Sequence, residues 1–163
     1  MATDVLPSHL QHFDTRERVR GDARVRYLVP VGRVLFAAIF VLSGLTHFSQ
    51  QTIGFAASQG VPAPHLLVPF SGALAVLGGL SVALGYRTRV GALLLVAFLV
   101  PVTLKMHAFW AVGDPMMRGI QQANFMKNVS MLGGALLLLF FGPGPISLDE
   151  REPHPEARTT TPA

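Results

Sequence analysis

The sequence contains no cysteine. Disulfides, thiolate nucleophiles and cysteine-ligated zinc or iron–sulfur centres are therefore excluded. Charge is also scarce: 13% of the 163 residues are charged, against roughly a quarter in a soluble domain. Carboxylates are confined to the ends. Asp4, Asp14, Glu17 and Asp22 come first, Asp149, Glu150, Glu152 and Glu156 come last, and only Asp114 falls between. Paired-carboxylate hydrolysis, a carboxylate-rich di-iron centre and an Asp/Glu proton wire lack the residues to build them. No catalytic residue is assigned.

Apolar residues are abundant: half the chain is hydrophobic and the mean hydropathy is +0.45. They fall into four blocks, about 27–48, 65–86, 88–110 and 122–141. Each is about twenty residues long, the length a helix needs to cross a hydrocarbon layer of ~30 Å. Inside lipid a single span must satisfy its own backbone hydrogen bonds, so the blocks are read as helices. Sustained alternation, the mark of a membrane barrel, is absent. Gly60-Val61-Pro62, Gly85 with Arg87 and Arg89, Gly113-Asp114-Pro115 and Gly142-Pro143-Gly144-Pro145 punctuate the blocks. Pro101 sits inside the third and should kink it and free the carbonyl of Ala97. The expected fold is an all-α membrane protein, a four-transmembrane-helix up-down-up-down bundle over 27–148. It is flanked by a disordered Arg-rich tail (1–26) and a disordered Pro/Thr-rich tail (149–163). Small residues (Ala37, Ala38 and Gly44; Gly72, Gly78 and Gly79; Gly133 and Gly134) are read as helix contacts.

Arginine sets the expected orientation. Arg16, Arg18, Arg20, Arg24, Arg26 and Arg33 lie before or at the first helix, Arg87 and Arg89 between the second and third, and Arg151 and Arg158 after the fourth. The positive-inside rule places these segments, and both termini, in the cytoplasm. The lipid bilayer is the expected partner. Nucleic acid is not, because nothing aromatic or folded accompanies the basic residues.

Counting depth at ~1.5 Å per residue gathers the polar side chains at the opposite surface. His47 ends the first helix, Lys105 and His107 end the third, and Lys127 and Asn128 open the fourth. These five form the candidate polar pocket. Neutral imidazole is the commonest metal ligand, so His47 and His107 are also the candidates for metal, with haem disfavoured. Hydrogen bonding to a polar head such as a quinone carbonyl, or across helices, is the other use open to them. Lys105 and His107 are two apart and point to different sides of one helix. His107 is expected to face the bundle, and Lys105 to snorkel outward with Phe109 as a cation–π partner.

Three stretches carry a resemblance: GRVLFAAIFVLSGLTHF, SGALAVLGGLSVALGYRTRVGALLL and FMKNVSMLGGALLLLFFGPGPISLD. Phe40 with Ser43-Gly44, the Gly78-Gly79…Gly85…Thr88-Arg89 pattern, Phe125, Lys127-Asn128 and Gly133-Gly134 are its markers. So is the run Gly142-x-Gly144-x-x-Ser147-Leu148-Asp149. Over about residues 31–149 the chain resembles the DoxX family of small bacterial membrane proteins. The resemblance implies a four-helix inner-membrane protein linked to redox work, as in a thiosulfate:quinone oxidoreductase subunit or an oxidative-stress complex. Two positions depart from it: Ala75 stands where many relatives have glutamate, and His47 where many have lysine.

Two functional expectations follow. One is an accessory subunit of a quinone-linked or oxidative-stress assembly, with a membrane or peripheral oxidoreductase, or a second copy, as partner. The other is a non-enzymatic membrane scaffold or small-molecule permeation protein without cofactor.

Overall fold

A computed structural model describes residues 25–149. Its helices are α1 (Leu28–Thr46), α2 (Gln50–Ser58), α3 (Pro64–Leu84), α4 (Thr88–Met106) and α5 (Pro115–Phe141), with a 3-10 turn over Phe109–Ala111. No strand occurs among the described residues. The helices α1, α3, α4 (with its 3-10 extension) and α5 are each long and apolar enough to cross a membrane. The protein is an all-helical, four-span membrane bundle, as its apolar blocks require. Both expected tails lie outside the described residues, apart from Val25, Arg26 and Asp149.

Local signals set the ends. Pro64 supplies the fixed φ of a first turn, and Gly85 closes α3 at φ +67°. Asp114 caps α5, its Oδ1 accepting from the Met117 N–H at 2.8 Å, with Pro115 in the first turn. The fourth span consequently starts at Pro115 rather than near 122, because the cap extends the helix through polar turns that hydropathy alone omits. The link between the first two spans is no loop either. It holds α2, whose cap Ser49 accepts from the Thr52 N–H.

Consecutive spans pack as neighbours: α1 on α3, α3 on α4, α4 on α5. Small residues allow the approach, as expected where water supplies no driving force between helices. A Cβ on Gly72 would sit 2.6 Å from the His47 Cβ and 2.8 Å from the Gly44 carbonyl oxygen, and one on Gly78 would sit 2.9 Å from the Gly91 carbonyl oxygen. Gly134 receives the Phe36 ring, which ties α1 to α5, whereas Gly133 faces open space. Phe40, Ala75, Val82, Leu95, Leu99 and Ala135 form the core between them.

One end of the bundle is closed by a polar knot. Arg33, only 3% exposed, donates to the carbonyls of Pro143 (2.5 Å) and Ile146 (2.6 Å). Gly85 makes room: a Cβ there would lie 2.9 Å from Arg33 Nη1. Asp149, expected to begin a disordered tail, instead caps α4. Its Oδ1 accepts from the Arg87 N–H (2.6 Å) and its Oδ2 from the Thr88 N–H (3.1 Å). The segment after α5 is thereby bound across the start of α1 and the α3–α4 turn.

Candidate functional site

The opposite end is hollow. A cavity of about 330 Å³ lies among the end of α1, the short helix α2, the first half of α3 and the second half of α4. Its α4 wall is Ala97, Phe98, Pro101, Val102, Lys105 and Met106, the i, i+4, i+8 rows of one helix face. The α3 wall includes Leu67, Val68, Phe70, Ser71 and Leu74. Phe70 on α3 and Ala97 and Pro101 on α4 line the cavity and are also exposed. The space is thus open sideways, between two apolar spans, toward lipid. Pro101 has no N–H to return to the Ala97 carbonyl, so a helix wall with one backbone bond missing forms part of the rim.

α2 covers the end of the cavity. Ile53 and Ala56 pack on Val68, with Val61 and Met106 beside them. Thr52 and Ala56 reach the cavity itself. A nine-residue helix held by so few apolar contacts is a light closure, since local stability scales with such burial.

The polar groups here are few. His47 lines the cavity, its Nδ1 donating to the Ser43 carbonyl at 2.8 Å, which leaves Nε2 unengaged by that bond. The imidazole also stands edge-on to Phe98, ring centroids 5.7 Å apart. Lys105 lines the cavity at its outer end, with Nζ 3.6 Å from where a Gly60 Cβ would be. No ion pair reaches Lys105 among the described residues. The two carboxylates there, Asp114 and Asp149, serve as helix caps.

The five expected site residues therefore separate. His47 and Lys105 share the cavity. His107, half-buried, instead joins α4 to α5, its Nδ1 2.8 Å from Gln121 Oε1. Asn128 is buried at 5% exposure on α5, and Lys127 points outward, donating to Asn124 Oδ1 at 3.3 Å. Phe109 is stacked edge-on with Trp110 and Phe125 rather than engaged by Lys105. Among the described residues no three His, Asp or Glu side chains converge where a metal could be held. Depth counting brought the histidines to one level, but helix rotation turned them to different neighbours. Sequence reasoning missed α2 with Thr52, and the α3 wall around Ser71. The Ser49-x-x-Thr52 cap was the available signal for α2.

Comparison with known proteins identifies the family. The chain matches the SURF4 family over residues 11–154, and it belongs to that family. Inner membrane protein YphA of Escherichia coli is 33% identical over 145 residues, covering 87% of this chain and 98% of its own. Inner membrane protein YqjF of the same organism is 30% identical over 125 residues, covering 74% of this chain and 88% of its own. Surfeit locus protein 4 homolog of Drosophila melanogaster is 36% identical over 72 residues, covering 44% of this chain and 27% of its own. No solved structure matches the chain.

These matches correct two expectations. The chain is not a DoxX protein, and the redox assembly inferred from that resemblance, with its quinone and oxidoreductase partner, loses its basis. The physical reason lies in what the markers do. Gly78 packs on Gly91, Gly85 admits Arg33, and Asp149 caps α4. They are devices for closing a small helical bundle in lipid, and they do not report chemistry.

Proposed function

We propose that this SURF4-family protein is a non-catalytic binding protein of the bacterial inner membrane that takes an apolar-tailed molecule sideways from the bilayer. The observation that carries this reading is the cavity beside His47 and Lys105: apolar-walled, about 330 Å³, within the usual size of ligand sites. Its lateral opening faces lipid, where such molecules dissolve. The scarcity of carboxylates and the absence of any thiol leave binding better supported than catalysis. YphA and YqjF, named as inner membrane proteins, support the location. Arg33, Arg87 and Arg89 all sit at the end where α1 begins and α3 turns into α4, which supports both termini in the cytoplasm and the cavity in the outer leaflet.

Extraction of the protein with its surrounding lipid, followed by mass spectrometry of the bound small molecules, tests the reading. A stoichiometric apolar-tailed compound is expected from the wild type and is lost from Ala97→Trp, which fills an exposed rim position. Identical small-molecule content in both would refute it. Reporter fusions at residues 60 and 149 test the orientation, with only the first expected outside the cytoplasm.

A further inference from the structure

We infer that the cavity's ligand is a single-chain amphiphile with an anionic head, the head held by Lys105. The inference rests on the binding role proposed above and specifies the chemistry of what is bound.

Three features carry it. The first is capacity. An apolar cavity of about 150 Å³ accepts a benzene ring, so 330 Å³ accepts about a dozen carbon atoms. That suits one alkyl chain and excludes both chains of a bilayer lipid. The second is shape. The α4 wall runs from Ala97 to Lys105, eight steps along the helix, or about 12 Å at ~1.5 Å each. Every position of that wall before Lys105 is apolar, so a greasy track ends on one cation. The α3 wall runs antiparallel to it, from Leu74 at the inner end to Leu67 near Lys105. The third is charge. Lys105 has no ion-pair partner among the described residues, and their two carboxylates are committed as caps elsewhere. A carboxylate-like head at the end of a chain lying in the track would meet this ammonium at the exposed mouth of the cavity, and a charge-assisted hydrogen bond is about twice as strong as a neutral one. His47, with Nδ1 bonded to Ser43, stands beside Phe98, about two turns along the track from Lys105, and lines the path of the chain. Thr52 lines the same cavity from α2, its hydroxyl bonded to that of Ser49.

A lysine that merely snorkels to the interface would attract an anionic head whether or not the track is open, so the dependence of binding on Ala97 separates the two cases. The test uses the full-length protein in nanodiscs of zwitterionic lipid. Binding of tritiated dodecanoate and dodecanol is read by scintillation proximity, with empty discs subtracted. Dodecanoate is expected to bind about tenfold more tightly than dodecanol, the effect of one favourable charged contact of about 1.4 kcal/mol. Lys105→Gln should abolish that preference, Lys105→Arg should keep it, and Lys127→Gln, outside the cavity, should leave it unchanged. Ala97→Trp should weaken both ligands together. Equal affinity for the two ligands in the wild type would overturn the anionic head while leaving the binding role intact. Binding of neither would overturn both. The wild-type comparison holds whether or not a variant folds.

Discussion

The two ends of the bundle solve the same problem differently. At the Arg33 end, the scarce polar groups are used on one another and on the backbone: guanidinium to carbonyls, carboxylate to helix N–H groups. At the Lys105 end, a cation and one imidazole nitrogen face a hollow lined by apolar side chains. Buried polar groups in membrane proteins are expensive, and those that remain are satisfied or functional. At the first end the Arg33 Nη atoms and the Asp149 carboxylate are engaged in holding chain segments together, so these residues belong to the architecture. Arg33 Nε and Thr88 Oγ1 are nevertheless buried there without a partner among the described residues, and an open cleft lies beside Arg87 and Arg89. The second encloses a hollow walled almost wholly by apolar side chains, with Lys105 at its exposed mouth, so it is the end whose shape suits an apolar chain.

Substitutions should break this contrast in graded fashion. The largest effect belongs to Arg33→Ala. It removes two charged hydrogen bonds and leaves the Pro143 and Ile146 carbonyls without them, a loss of about 3 kcal/mol. Unfolding in mild detergent, followed by helical circular dichroism, should register it, while ligand affinity per folded molecule stays unchanged. Asp149→Ala should lose about 1–2 kcal/mol as a removed helix cap. Because the Asp149 charge acts on Arg33, the double variant should fall short of the sum of the two. His107→Ala should cost about 1 kcal/mol through its bond to Gln121. An effect of His107→Ala on ligand binding as large as that of Lys105→Gln would mean that the cavity extends toward α5. Lys105→Gln should change stability least, within about 0.5 kcal/mol as for an exposed substitution, while changing ligand preference most. If Arg33→Ala instead proved harmless to stability and harmful to binding, the roles of the two ends would be exchanged.

The four spans were legible because lipid imposes a length and an apolar composition that no other context repeats. The Gly44–Gly72 and Gly78–Gly91 approaches were half legible: Gly44, Gly72 and Gly78 were read as contacts, but not which residues they meet, and Gly91 was not read at all. Other features required the third dimension. Asp149 lies 62 and 61 residues from the two N–H groups that it caps, and Arg33 reads in sequence as an orienting charge, although it is buried. The short helix α2, nine residues that are less apolar than the spans, does not stand out between two of them by length or hydropathy. At the site, depth came from counting along each helix, and His47, Lys105 and His107 all lie toward one end of the bundle. Rotation about the helix axis is not encoded in that count. His47 and Lys105 consequently meet at one cavity, while His107 turns to Gln121.

The most direct measurement is photolabelling with a dodecanoate that carries a photoreactive group midway along its chain, followed by peptide mapping in the native membrane. Labels are expected on the cavity walls, within residues 67–74 and 97–102, and should be displaced by excess unlabelled dodecanoate. Labels spread evenly over the lipid-facing helices, or concentrated at residues 85–90 and 142–147, would contradict the assignment of binding to the Lys105 end.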